Sequence, residues 1–213
     1  MIRRRHALAT ESTRRLEAFT DGVFAIAATL LVLDLTSHSL GEVDSDGELW
    51  SALGGMGGLF VNFLLSFGLL CLLWMIHVQQ FEHIARVDSV VLWLNSARLL
   101  FIVLVPFATG LMTEYADYLA GRLAMPLVFF FAILASWLQY RWVLRNRDVM
   151  MPDLSDDDAK VYGRGSLSAL IIAAVVVVLA AFIGSWAFLL FLLDGTFTRA
   201  LLGRRRRAEA AGS

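Results

Sequence analysis

A chain of 213 residues with 58% hydrophobic and 17% charged residues lies outside ordinary soluble domains, in which charged residues run at about 25%. Its mean hydropathy of +0.68 predicts an all-α, polytopic membrane protein, and no polar segment is long enough for a separate soluble domain. The net charge of −1 conceals segregation: arginines cluster at both ends and in some connections, acids in others.

Residues 1–15 carry five arginines and no apolar core, which argues against a cleavable signal peptide. The first apolar block predicts a helix over 17–36. Its centre, Gly22 to Leu33, is uncharged and bounded by Asp21 and Asp34. About 20 residues are needed to cross a bilayer, so both carboxylates fall near membrane edges. An ionisable group at that depth costs about 2.5–3.5 kcal/mol and faces protein or water, so this helix is expected to line something. The following connection, 36–50, carries Glu42, Asp44, Asp46 and Glu48 and no Lys or Arg.

Further helices are predicted over 49–76, 90–113 and 121–144. The 77–88 connection carries Arg86, the 114–121 connection only acids, and residues 141–164 carry Arg141, Arg145, Arg147, Lys160 and Arg164. An uncharged run from Ser166 to Leu193 follows, long for one helix and short for two. The positive-inside rule places both termini and the 77–88 and 145–165 loops in the cytoplasm. An even number of spans follows, so the last run is read as a hairpin broken at Gly184-Ser185, with helices over 166–183 and 186–203. A single helix ending at Leu193 would spare Asp194 a place in the membrane but put Arg204–Arg207 outside. The chain is thus read as one six-helix domain, 1–203, with a basic cytoplasmic tail, 204–213.

On the first helix Ile26, Thr29 and Leu33 fall within about 40° of Gly22, with Leu30 on the flank. The stripe is apolar with one hydroxyl layer, and for an anonymous span helix packing explains it. Asp21 points about 100° from Gly22, off the stripe. Trp74, His77 and Asn95 are candidate partners at its depth. His77 titrates in the physiological range when unperturbed, so it is either a pH sensor or a structural hydrogen-bonding group. His77, Glu82 and His83 do not share a helical face, so no metal site is expected. Ser155 before Asp156–Asp158 reads as a helix N-cap instead of a calcium site, and Gly54-x-x-x-Gly58 as helix packing. Cys71 is the single cysteine, which rules out an internal disulfide. No nucleophile–base pair, phosphate loop or nucleic-acid patch occurs, so no enzyme, cofactor, small-molecule substrate or nucleic-acid partner is expected. Arg204–Arg207 suits attraction to anionic lipid.

The run Arg15-x-x-x-Phe19-Thr20-Asp21, continued by Gly-Val-Phe-Ala-Ile-Ala-Ala-Thr-Leu-Leu-Val-Leu, resembles the signature of the TMEM175 family, potassium channels of prokaryotes and lysosomes. Thr20 stands where serine is usual in that family and keeps the hydroxyl. Weaker agreement continues in Leu65-Ser66-Phe67, Trp74-x-x-His77-x-x-x-Phe81, Asn95 and Pro106-Phe107-x-Thr109. The resemblance implies a passive, potassium-preferring channel in a prokaryotic plasma membrane, a homotetramer of six-helix subunits with its pore lined by the first helix. It makes potassium the permeant species. It assigns Ile26 to the constriction, Leu30 and Leu33 to further apolar layers and Thr29 to the selectivity layer. Arg15, Phe19, Thr20 and Asp21 become a structural motif with Trp74, His77 and Asn95 as partners. Hydrophobic constrictions gate by dewetting. Asp34 with the four loop acids would make an outer vestibule that concentrates cations, or simply a solvated loop. The competing class is a proton-coupled transporter or proton leak path through Asp21, Asp34 or Asp194.

Overall fold

A computed structural model describes residues 13–37 and 40–193, which are helical almost throughout. The elements are α1 (Thr13–Ser37), α2 (Asp46–Gly55), α3 (Gly57–Phe81), α4 (Ser89–Val103), α5 (Val105–Glu114), α6 (Leu119–Arg145), α7 (Arg147–Met150) and α8 (Asp156–Ile183), followed by a 3-10 segment, Gly184–Leu193. Helix α6 is the hub, packed on α4, α5 and α8, while α1 lies against α3, α4 and α5.

Five stretches have the length and composition to cross a membrane: Thr13–Leu33, Gly57–Phe81, Ser89–Glu114, Leu119–Arg145 and Asp156–Phe191. The break expected at Gly184 is present. Gly184 has φ 59° and ψ −140°, a combination open essentially to glycine. Beyond it the 3-10 segment buries Ala187, Phe188 and Phe191 in the core, with the Phe188 ring edge-on to Phe129 at 5.7 Å. Ten residues of 3-10 helix fall short of a span, and 194–203 of the expected sixth helix lie outside the described residues.

Several sequence boundaries need correction. The expected 49–76 helix is two, because Met56 ends α2 and α3 then runs on to Phe81. His77 therefore lies inside a helix, not in the connection. The expected 90–113 helix is jointed at Leu104: Pro106 has no N–H to offer the carbonyl four residues back, which separates α4 from α5. A Cβ at Gly54 or Gly58 would meet nothing within 4 Å, so this pair mediates no close approach within the subunit. Ser155 does cap α8, its Oγ accepting the Asp158 N–H at 3.2 Å.

A smaller cluster at one end of the bundle joins Leu16, Phe81, Ile84, Val87, Val91, Tyr140, Val143, Met150 and Met151. The Ala85 N–H donates to the Met150 carbonyl at 2.8 Å. The start of α1 and the connections 82–88 and 146–155 therefore meet at one end.

Candidate functional site

Helix α1 has two dissimilar faces. Leu16, Thr20, Phe24, Ala27 and Leu31 recur every three or four residues and are buried. Phe19, Ile26, Leu30 and Leu33 are exposed on roughly the opposite side. At 1.5 Å per residue the helix is about 37 Å long, enough to cross a hydrocarbon core of about 30 Å.

Hydrogen bonds fix the rotation of α1. The Asn95 Nδ2 of α4 donates to Thr20 Oγ1 at 2.9 Å, with both residues wholly buried. The Trp74 Nε1 of α3 donates to Asp21 Oδ1 at 2.8 Å. Each such bond contributes about 1 kcal/mol net, and more where the alternative is an unpaired group away from water. Together they pin one turn of α1 to two neighbours.

Beneath this turn lies a buried cation that the sequence reading passed over. Arg98 is fully buried. One guanidinium nitrogen donates to the Leu73 carbonyl at 2.9 Å, another lies 3.1 Å from His77 Nδ1, and the cation stands 5.5 Å from the Phe24 ring centroid. Guanidinium has no acceptor, so His77 Nδ1 accepts and the imidazole proton sits on Nε2. His77 also lies against Phe81, with ring centroids 4.3 Å apart. A proton on Nδ1 would sever the bond to Arg98, so this geometry gives His77 a structural place. The signal for Arg98 was legible: it is the single ionisable residue in α4, within an otherwise apolar span.

The outward face is not uniformly greasy. The Thr29 hydroxyl donates to the Ile26 carbonyl at 2.8 Å, and Thr36 repeats this with Leu33 at 2.9 Å. With the proton committed to the backbone, each hydroxyl oxygen presents lone pairs outward, the polarity that suits a cation. Thr36 stands seven residues from Thr29 and extends the stripe by a second hydroxyl layer that was not singled out from sequence. By contrast, Leu167, Ile171, Val175, Val178 and Phe182 on α8 form an exposed face without hydroxyls, as expected of a lipid contact.

The structure thus brings Thr20 to Asn95 and Asp21 to Trp74, and sets His77 with Arg98 instead of with Asp21. Arg15 and Phe19 are exposed, and Ile26, Leu30, Thr29 and Leu33 face away from the other described helices. The Asp34 side chain and Asp194 lie outside the described residues. Among the described residues no group of His, Cys, Asp and Glu is arranged to hold a metal ion.

Residues 15–106 match the family described as endosomal/lysosomal potassium channel TMEM175. The chain is 41% identical over 101 residues to a potassium channel of Streptomyces collinus, covering 47% of this chain and 48% of that protein. It is 38% identical over 112 residues to a potassium channel of Chamaesiphon minutus, covering 53% and 55%. The endosomal/lysosomal proton channel TMEM175 of Rattus norvegicus is 30% identical over 151 residues, 66% of this chain and 30% of that protein. These matches span about half the length of the bacterial relatives. Over the whole fold, the chain superposes on the crystal structure of a lysosomal potassium-selective channel TMEM175 homolog from Chamaesiphon minutus with TM-score 0.66 and 26% identity, covering 91% of this chain and 97% of that one. The potassium channel MtTMEM175 shares the fold at TM-score 0.58 and 18% identity.

Proposed function

We infer that this chain, whose residues 15–106 match the TMEM175 family, belongs to that family and is one subunit of a passive potassium-preferring channel in a prokaryotic plasma membrane. The observation that carries the reading is the outward stripe of α1, in which Ile26, Leu30 and Leu33 alternate with the hydroxyl of Thr29 while the opposite face is hydrogen-bonded to α3 and α4. One such helix cannot enclose a pore. Copies of the chain, four in the proposed assembly, gather their α1 helices about a common axis. Ile26 then forms the narrowest ring. Leu30 and Leu33 continue the apolar wall, and Thr29 supplies the oxygen layer. Ions shed or keep water at the apolar ring according to its width and wetting, because it offers no polar atom in exchange.

Six membrane helices per subunit complete the proposed channel domain, 1–203, with the sixth beginning after the Gly184 break. The tail, 204–213, lies against anionic lipid on the cytoplasmic side. Both termini are cytoplasmic in this reading, because arginines flank both and the start of α1 shares an end with the Arg86-bearing connection. Reporter fusions at Met1 and Ser213 are expected to label the same, inner side. Labels on opposite sides would remove the sixth span.

Potassium-loaded liposomes test the function itself. A channel releases potassium down its gradient with no fixed proton ratio. The second reading, proton conduction or coupling, draws on the vertebrate relatives named as proton channels and on the exposed Asp21 of α1. It predicts proton movement stoichiometric with, or in place of, potassium.

Thr29→Ala removes the outward oxygen and leaves Ile26 in place. The expected result is near-normal conductance with a potassium-over-sodium ratio lowered several-fold, read as a shift in bi-ionic reversal potential. An unchanged ratio would take the selectivity role away from Thr29.

A further inference from the structure

A cavity of about 320 Å³ opens between α4 and α6, lined by Leu94, Trp137, Leu138, Arg141, Trp142 and Arg145. We propose that it is a binding site for the headgroup of an anionic phospholipid in the cytoplasmic leaflet. This goes beyond ion conduction and does not require it.

Residues 137, 141 and 145 stand one turn apart on one face of α6, so both guanidinium groups edge the same opening. Arg141 lies over the Trp137 ring at 4.9 Å, which orients its cation while leaving its N–H groups free for an anion. Among the described residues neither arginine joins an ion pair; the pairs found there are Arg147 with Asp156 and Lys160 with Asp157. Asp88, which reaches the cavity wall through Trp142, is already committed. Asp88 Oδ1 accepts the Val91 N–H at 2.9 Å, and Oδ2 accepts the Trp142 Nε1 at 3.0 Å. The end of α6 would itself repel an anion through its free carbonyls. That repulsion is blunted, because Asn146 donates to the Trp142 carbonyl from its side chain at 2.9 Å and from its backbone at 3.2 Å.

The length and apolar lining of this open groove favour a lipid over a free ion. From Arg145 to Trp137 is about 12 Å along the helix, and the inner walls are Leu94, Leu138 and indole. A phosphate bridged by two arginines at the mouth would continue into a glycerol and acyl neck along these walls. Tryptophan at this level matches the interfacial belt, and basic pockets between helices on the cytoplasmic side are suited to anionic headgroups.

Native mass spectrometry of the full chain, solubilised and titrated with phosphatidylglycerol or phosphatidylcholine, tests the site. The wild type should retain phosphatidylglycerol preferentially. The double variant Arg141→Gln/Arg145→Gln should lose it by roughly thirtyfold, the product of two surface-proximal cations, with phosphatidylcholine unchanged. Arg86→Gln, an exposed arginine of the neighbouring connection, should behave as wild type. Leu138→Trp, which fills the apolar wall and keeps both arginines, should also lower retention; this variant carries the test if the double variant misfolds. Equal phosphatidylglycerol retention in the double variant would overturn the proposal. So would retention unaffected by Leu138→Trp, or full displacement by inorganic phosphate at comparable concentration, which would mark a free-anion site.

Discussion

Replacing Ile26 with Asn is expected to raise single-channel current by about tenfold and to let sodium pass more freely. Ile26 is 61% exposed in the isolated subunit, on the face of α1 that no other described part of the chain covers. In the proposed assembly it closes the pore with branched hydrocarbon, which offers an ion nothing in place of its water. Asparagine is slightly smaller and carries both a donor and an acceptor, so a ring of amides stays wetted. A tenfold change needs only about 1.4 kcal/mol off the barrier, a fraction of that from each copy. Leu33→Ala should act in the same direction but more weakly, since it lies in a wider layer. The fold of the subunit has no stake in Ile26, so assembly should be retained. Unchanged current and selectivity in protein that still assembles would mean that α1 does not line the pore.

The second large effect is expected at Asn95. Asn95→Ala removes the donor to the Thr20 hydroxyl and leaves a void where both residues were wholly buried. An unpaired buried group costs about 1–3 kcal/mol, and the missing volume adds to it. The variant should show a lowered Tm and a smaller fraction of intact oligomer on gel filtration. It should also lose selectivity, because the α1–α4 bond helps to set which way Ile26 and Thr29 point. Thr20→Val removes the other half of the same bond. A double-mutant cycle should then return a coupling of about 0.5–3 kcal/mol, where independent sites would add. Additive losses would show that the bond carries no energy and that Asn95 acts through volume alone.

Much of this was readable in the chain, for stated reasons. The α1 stripe follows from 3.6-residue periodicity, and the places of Trp74 near the end of the second predicted helix and Asn95 early in the third put them at the depth of Thr20 and Asp21. The break at Gly184 was visible as a glycine in a run too long for one helix. Other features required tertiary structure. Apolar pattern continues through Met56 and Leu104; Pro106 was a readable signal for the second joint, while the end at Met56 emerges from chain geometry. His77 was placed near Asp21 by depth, yet rotation about α3 points it to Arg98. The Arg98 charge was a plain signal in an apolar span; which carbonyl, imidazole and ring would receive it is a property of packing among α1, α3 and α4. The spacing of Thr36 from Thr29 repeats the helical period and needed only the same wheel extended by two turns.

The most direct measurement is the reversal potential of the purified chain in a planar bilayer, with potassium on one side and an equal concentration of sodium on the other at one pH. A pore built from the α1 stripe predicts a steady current that reverses well toward the potassium equilibrium potential and scales with the potassium gradient alone. Reversal at zero, or a current that tracks an imposed pH difference instead of potassium, would contradict it.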